Sequence, residues 1–295
     1  MYHRRERSVS MSIPLSTLLR ATAFNLAFYL WTFALAVGGL PFLSRWQPEQ
    51  VRAYARFWLR GVHRLLRASV GLDYEVRGLE RLPPGPLLIA AKHQSAWETL
   101  TFHLLLPDIV VGLKEELVRI PLFGRYLRAA GSIVIDRGNP QRAIRSLVEG
   151  AKRAVARGES VLVFPEGTRR PPGAPPDYKP GVAALYRALG VPCVPVALNS
   201  GLFWGRRSWL KFPGRITVSF LEPIAPGLDR ASFMRLLEER IERETAALVR
   251  AAAPPTGARD RLLPRATREA SKGFVGASDC SMIRPRSESF EERRR

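Results

Sequence analysis

Between Leu72 and Ala252 the chain alternates short apolar runs with longer amphipathic stretches. Nothing else in it restricts the fold as much. The apolar runs are rich in Val, Ile and Leu and predict strands over 74–77, 86–91, 109–113, 132–135, 160–164, 192–198 and 215–220. The stretches between them predict helices over 97–106, 120–130, 140–157, 181–189 and 230–250. Strands separated by helices are too far apart in sequence to pair as tight hairpins. The expected architecture is therefore α/β, with a mainly parallel central sheet flanked by helices. In such sheets the loops at the carboxyl ends of the strands hold the chemistry.

An N-terminal membrane-anchoring helical segment is expected ahead of this region. Residues 21–43 carry no charge, and a helix of about 20 apolar residues is long enough to cross a bilayer core. Thr22, Asn25, Thr32, Gly38, Gly39 and Pro41 interrupt the run, so a helix lying in one leaflet fits as well as a spanning one. Tyr29, Trp31 and Trp46 suit the interface. Arg4, Arg5, Arg7 and Arg20 precede the run and Arg45 follows it, which orients the N-terminus to the cytoplasm if the segment spans. Ala34-Leu35-Ala36 resembles a signal-peptide cleavage site, but the apolar run continues to Leu43, as an anchor would. Met11 is a second possible start.

A basic amphipathic helix is expected next. Val51, Tyr54, Trp58, Val62 and Leu65 recur at helical spacing beside Arg52, Arg56, Arg60, Arg64 and Arg67. Such a helix either lies in a headgroup layer or packs on the domain with a solvated arginine face. The chain thus divides into a basic N-terminal segment (1–20), an anchor with its amphipathic helix (21–70), a catalytic domain (71–252) and a basic tail (253–295). The tail is rich in Pro, Ser, Arg and Glu and reads as disordered.

Three places carry candidate chemistry. His93 follows the apolar run Leu87-Leu88-Ile89-Ala90-Ala91, and Glu98 stands five residues on, where Trp97-Glu98-Thr99 opens a helix. A carboxylate so placed is favoured by the helix dipole. It can hold one imidazole nitrogen and leave the other as a general base. Lys114 ends an apolar strand, and Arg137 follows another in Ile135-Asp136-Arg137. Arg137 could fork onto a phosphate or simply pair with Asp136. Phe164-Pro165-Glu166-Gly167-Thr168-Arg169 turns sharply after a third strand. Gly167 permits a tight turn and close ligand approach, and Thr168 and Arg169 supply donors for an anion. Lys179-Pro180-Gly181 opens a helix whose N-terminus could add to an anion site. His63 and His103 read as structural residues on helices.

Other chemistries lack their residues. No G-x-S-x-G elbow, phosphate-binding P-loop or dinucleotide-binding glycine pattern is present. Four scattered histidines with Cys193 and Cys280 make no metal cluster, and no disulfide framework is implied. Cys193 lies in an apolar run and reads as a small buried hydrophobe. The formal net charge of +20 attracts polyanions. No nucleic-acid recognition module is apparent, so anionic membrane lipids are the expected polyanion and no nucleic acid is expected.

Taken in order and spacing, HQSAWE, GSIVIDRGN, FPEGTR and VPVALNS resemble the four motifs of the glycerolipid acyltransferases, most closely the bacterial 1-acyl-sn-glycerol-3-phosphate acyltransferases. The resemblance covers roughly residues 20–250. It implies that His93 is the catalytic base and Glu98 its partner. It also implies that Arg137, Glu166, Gly167, Thr168 and Arg169, with Lys114, bind substrate, and that Pro195 belongs to the fourth motif. The implied reaction takes an acyl group from acyl-carrier protein or acyl-coenzyme A and places it on the 2-hydroxyl of a lysophospholipid acceptor. It needs no cofactor or metal and runs at the cytoplasmic face of the inner membrane. One departure stands out: the usual H-x4-D is H-x4-E here. The extra methylene bears on the geometry of the pair and leaves room for another acceptor, such as lyso-ornithine lipid or glycerol 3-phosphate.

Overall fold

The computed structural model describes residues 13–135 and 140–252. The expected tail at 253–295 and the basic segment before residue 13 lie outside the described residues.

Among the described residues, seven strands form one sheet: β1 Leu72–Arg77, β2 Leu88–Ala91, β3 Ile109–Lys114, β4 Ile133–Ile135, β5 Ser160–Val163, β6 Cys193–Leu198 and β7 Gly214–Phe220. Their spatial order is β1-β7-β6-β2-β5-β3-β4. The pairs from β6 through β4 are parallel, as are β1 and β7; only β6 and β7 pair antiparallel. The helices are α1 Leu15–Gly39, α2 Pro48–Leu65, α3 Trp97–Leu105, α4 Glu115–Val118, α5 Phe123–Ala129, α6 Pro140–Ala156, α7 Gly181–Leu189 and α8 Arg230–Ala252. The mainly parallel α/β architecture expected from the alternation is the one observed.

Two differences have local causes. The helix expected over 120–130 starts only at Phe123, as α5, and α4 is a separate short turn ahead of it. Pro121 lies between them, where its ring and missing N–H oppose continuation. α1 begins at Leu15, earlier than the uncharged run, because Arg20 is exposed on its surface and needs no burial.

Alternating side chains of β2 build two cores. Ile89 and Ala91 join Phe24, Val62, Leu66, Trp97, Phe102 and Val196 on one face. Leu88 and Ala90 join Ala151, Ala154, Val182, Leu185, Phe233 and Leu237 on the other. Successive strand side chains point to opposite faces, so a strand buried on both sides reads as one unbroken apolar run. α1, α2 and α3 thus cover one face, and α6, α7 and α8 the other.

α2 packs on the domain: Val51, Leu59 and Val62 are buried. Its end widens into a π turn, Leu66–Val70, closed by Gly71 in the left-handed conformation. α1 buries Ala21, Phe24, Asn25 and Gly39 and exposes Leu15, Leu18, Leu19, Leu26, Leu30, Phe33 and Val37.

The topology decides where the site lies. β2 sits between β5 and β6, parallel to both. The carboxyl ends of these three strands are therefore side by side. They deliver the loops carrying His93, Glu166–Arg169 and Asn199–Ser200.

Candidate active site

His93 leaves β2 with its side chain 11% exposed and its imidazole stacked on Phe164, ring centroids 4.0 Å apart. Its Nδ1 lies 3.0 Å from Glu98 Oε1. The same Oε1 accepts the N–H groups of Gln94 at 2.7 Å and Ser95 at 2.6 Å. Ser200 Oγ donates to Oε2 at 2.8 Å. Glu98 is fully buried, and donors from both N–H groups and a hydroxyl converge on it. An oxygen so surrounded acts as acceptor toward Nδ1, which makes Nδ1 the protonated nitrogen and leaves the lone pair on Nε2. One Glu98 oxygen thus bridges the ring and the Ser95 amide despite the departure from the usual Asp.

The loop after β5 is tied to the main chain of His93 on both sides. Glu166 Oε2 accepts the His93 N–H at 3.1 Å, and the Arg170 N–H donates to the His93 carbonyl at 2.8 Å. Gly167 turns the loop with φ +62°, and its N–H closes on the Phe164 carbonyl at 2.9 Å. A side chain here would meet open space apart from Lys179 Cγ at 3.6 Å. The need for glycine is therefore conformational.

Glu166 was expected among the substrate-binding residues. Its carboxylate instead faces inward, where Lys92 Nζ donates to Oε1 at 2.8 Å. Lys92 also pairs with Glu242 of α8 at 2.6 Å, and Tyr178 Oη donates to Glu242 at 2.9 Å. Burial raises the pKa of Glu166, and Lys92 opposes that rise. Lys92, Glu242, Tyr178 and Ser200 are the site residues that sequence reasoning missed. Their contacts join distant segments; the hints were the position of Lys92 next to His93 and that of Ser200 at the end of VPVALNS.

Arg169 is half-buried beside the pair. Burial lowers its pKa, the Glu98 carboxylate opposes this, and Arg206 and Arg207 lower it further. Thr168 lies in the same loop, partly exposed. Lys179 pairs with Asp177 at 2.7 Å, so its ammonium is already engaged. Lys114 ends β3, next to β5, with its side chain outside the described residues; Arg137 also lies outside them. His63 bonds Thr101 Oγ1 at 3.1 Å in the core between α2 and α3, and burial lowers its pKa to about 4. The pKa of His103 is lowered to about 4 by burial and by Arg56 and Arg52. Neither histidine bonds to a described residue of the site. Cys193 is fully buried in β6, where burial pushes its thiol up. Among the described residues no group of three or more His, Cys, Asp or Glu could hold a metal ion.

Comparison with known proteins fits this arrangement. The acyltransferase family pattern matches residues 73–199, from β1 through the end of β6. The 1-acyl-sn-glycerol-3-phosphate acyltransferase of Pseudomonas aeruginosa is 37% identical, over 68% of this chain and 75% of its own length. This chain belongs to that acyltransferase family. The alpha 1-acyl-sn-glycerol-3-phosphate acyltransferase of Mus musculus is 31% identical over 68% of this chain and 72% of its own length. The crystal structure of the 1-acyl-sn-glycerophosphate acyltransferase PlsC from Thermotoga maritima matches with a TM-score of 0.64 at 24% identity. It covers 79% of this chain and 96% of that one, and so shares the fold. Within the acyltransferase family, the matched segment is the one that delivers His93, Glu98, the 164–170 turn and Asn199.

Proposed function

We propose that the chain transfers an acyl group from an acyl thioester to the 2-hydroxyl of 1-acyl-sn-glycerol-3-phosphate, giving phosphatidate. The observation that carries this reading is the His93–Glu98 pair, with Nε2 left as the basic nitrogen beside the half-buried Arg169. In this mechanism Nε2 takes the proton of the acceptor hydroxyl as its oxygen attacks the thioester carbonyl. The thiolate then leaves and recovers the proton. Glu98 holds the ring and stabilises its transient positive charge. Arg169 meets the acceptor's phosphate, with Arg137 and Lys114 as further ligands, while Thr168 and the turn at Gly167 add donors. Glu166 acts from beneath, holding the His93 main chain. The donor is acyl-carrier protein or acyl-coenzyme A.

The reaction belongs at a membrane, on the cytoplasmic face of the inner membrane. α1 is long and apolar enough to cross one by length and composition. Its contacts favour the one-leaflet placement. Trp209 Nε1 donates to Thr22 Oγ1, Tyr54 Oη to the Leu35 carbonyl and Tyr126 Oη to the Ala36 carbonyl. Residues 22 to 36 span about 21 Å of helix. Partners from the domain along that length would have to enter the bilayer with a spanning helix. A helix lying on the domain with one apolar face in the lipid avoids that cost.

The test offers detergent-solubilised protein an acyl thioester with lysophosphatidate or lyso-ornithine lipid, beside the His93→Ala variant. Phosphatidate formed by the wild type and lost by about 10²–10⁴-fold in the variant is expected. Acylation of the aminolipid alone would overturn the acceptor assignment. Full turnover by His93→Ala would overturn the mechanism.

A further inference from the structure

The segment after β6 joins the candidate catalytic pair to the anchor helix. It starts at Ser200, whose hydroxyl donates to Glu98, and at Gly201, whose N–H donates to Gln94 Oε1 at 3.0 Å. It ends at Lys211, a lysine only 4% exposed. Lys211 Nζ donates to Asn25 Oδ1 of α1 at 2.7 Å and lies 4.8 Å from the centre of the Trp204 ring. Asn25 Nδ2 returns a bond to the Trp209 carbonyl at 3.0 Å. A buried ammonium satisfied by an asparagine and carbonyls fixes the end of the segment firmly.

Between these two fixed ends stand Arg206 and Arg207, both exposed. Arg206 Nη1 donates to the Arg169 carbonyl at 3.3 Å, one residue from the Arg170 N–H that holds His93. Arg207 adopts φ +55°, a strained backbone for a non-glycine residue. Both arginines act on Arg169 as like charges. The counter-charge that acts on Arg169 is the Glu98 carboxylate, already engaged by His93, Gln94, Ser95 and Ser200. One carboxylate can offset at most one of the three guanidiniums, so the group favours an added anion.

We propose that Arg206 and Arg207 bind the phosphate monoester of the lysolipid acceptor together with Arg169, on a segment whose height is set by the Lys211–Asn25 contact with α1. This rests on the acyltransfer reading above and extends it to two residues outside the family motifs. Guanidiniums suit the ligand because a phosphate monoester accepts several forked hydrogen bonds at once. The same chemistry could serve the phosphates of bulk anionic lipid, so the test separates the two.

Arg206→Ala, Arg207→Ala and the double variant are assayed with lysophosphatidate in neutral detergent micelles, and their partition onto anionic vesicles is measured separately. Arg153→Ala, on α6 at the opposite face, controls for loss of one charge. Losing one charge-assisted hydrogen bond should raise the KM for lysophosphatidate about tenfold. The KM for the acyl thioester and the kcat at saturation should stay near wild type, and the double variant should lose more than either single one. Inhibition by added glycerol 3-phosphate should weaken in parallel. An unchanged micellar KM overturns the proposal, whether or not vesicle binding falls. So does an equal rise in both KM values. Absence of phosphatidate formation by the wild type would instead remove the underlying reading of the reaction.

Discussion

At the scale of single residues, the site depends on Glu98 being an acceptor and on Glu166 being held from behind. Glu98→Gln keeps the shape but turns one oxygen into a donor facing other donors. It should lower kcat by about 10²-fold or more, because the imidazole loses its orienting acceptor. Wild-type kcat in a folded Glu98→Gln protein would sink this account. Lys92 supports the site more remotely. Lys92→Met removes the cation that opposes the raised pKa of Glu166 and leaves Glu166 beside Glu242. The acidic limb of the kcat profile should therefore move to higher pH. Glu242→Gln removes a negative charge from the same cluster and should move that limb the other way. Unmoved limbs in both variants would assign the cluster to stability alone.

The elements show what could be read from sequence and what could not. Strand positions followed from runs such as Val194–Leu198 and Val161–Val163, because burial on both faces writes itself as unbroken apolar sequence. The sheet order did not follow: nothing local says that β2 lies between β5 and β6, or that β7 turns antiparallel. The meeting of His93 and Glu98 could be read from their spacing, since five residues separate a strand end from a first helical turn. Ser200 on Glu98 and Glu242 on Lys92 could not, because they are brought together only by the sheet and by α8. The amphipathic α2 had two readings, and burial of Val51, Leu59 and Val62 shows that it packs on the domain. α1 yields a prediction of its own. Phe33→Arg, on its exposed face, should release protein from vesicles in a flotation assay with little change in Tm. Phe24→Arg, in the core, should unfold the protein by burying an unpaired charge. Equal behaviour of the two variants would contradict the one-sided docking of α1.

The whole molecule adds two expectations. His63 and His103 have folded pKa values of about 4 against an ordinary 6.5. The unfolded chain therefore binds more protons than the folded one between these values, and stability should fall as pH drops from about 6.5 toward 4. Replacing His63 by Gln should flatten part of that fall in thermal melts; an unchanged slope would show that other groups dominate. The net charge of +20 should make attachment to anionic vesicles sensitive to salt. The apolar contribution of α1 should persist after the Debye length has shrunk to about 3 Å at 1 M salt. Complete release at that salt would mean that α1 adds little to binding.

The bond between Lys211 and Asn25 also has a kinetic meaning. It ties α1 to the segment that reaches Glu98, so on the proposed membrane placement the chemistry would occur at a fixed depth relative to the lipid surface. An acceptor arriving sideways within the leaflet then meets the site by two-dimensional diffusion. The concentration that governs its turnover is its mole fraction among neighbouring lipids. Diluting the acceptor with inert lipid, at constant bulk amount, should slow such an enzyme as surely as removing substrate slows one working in free solution.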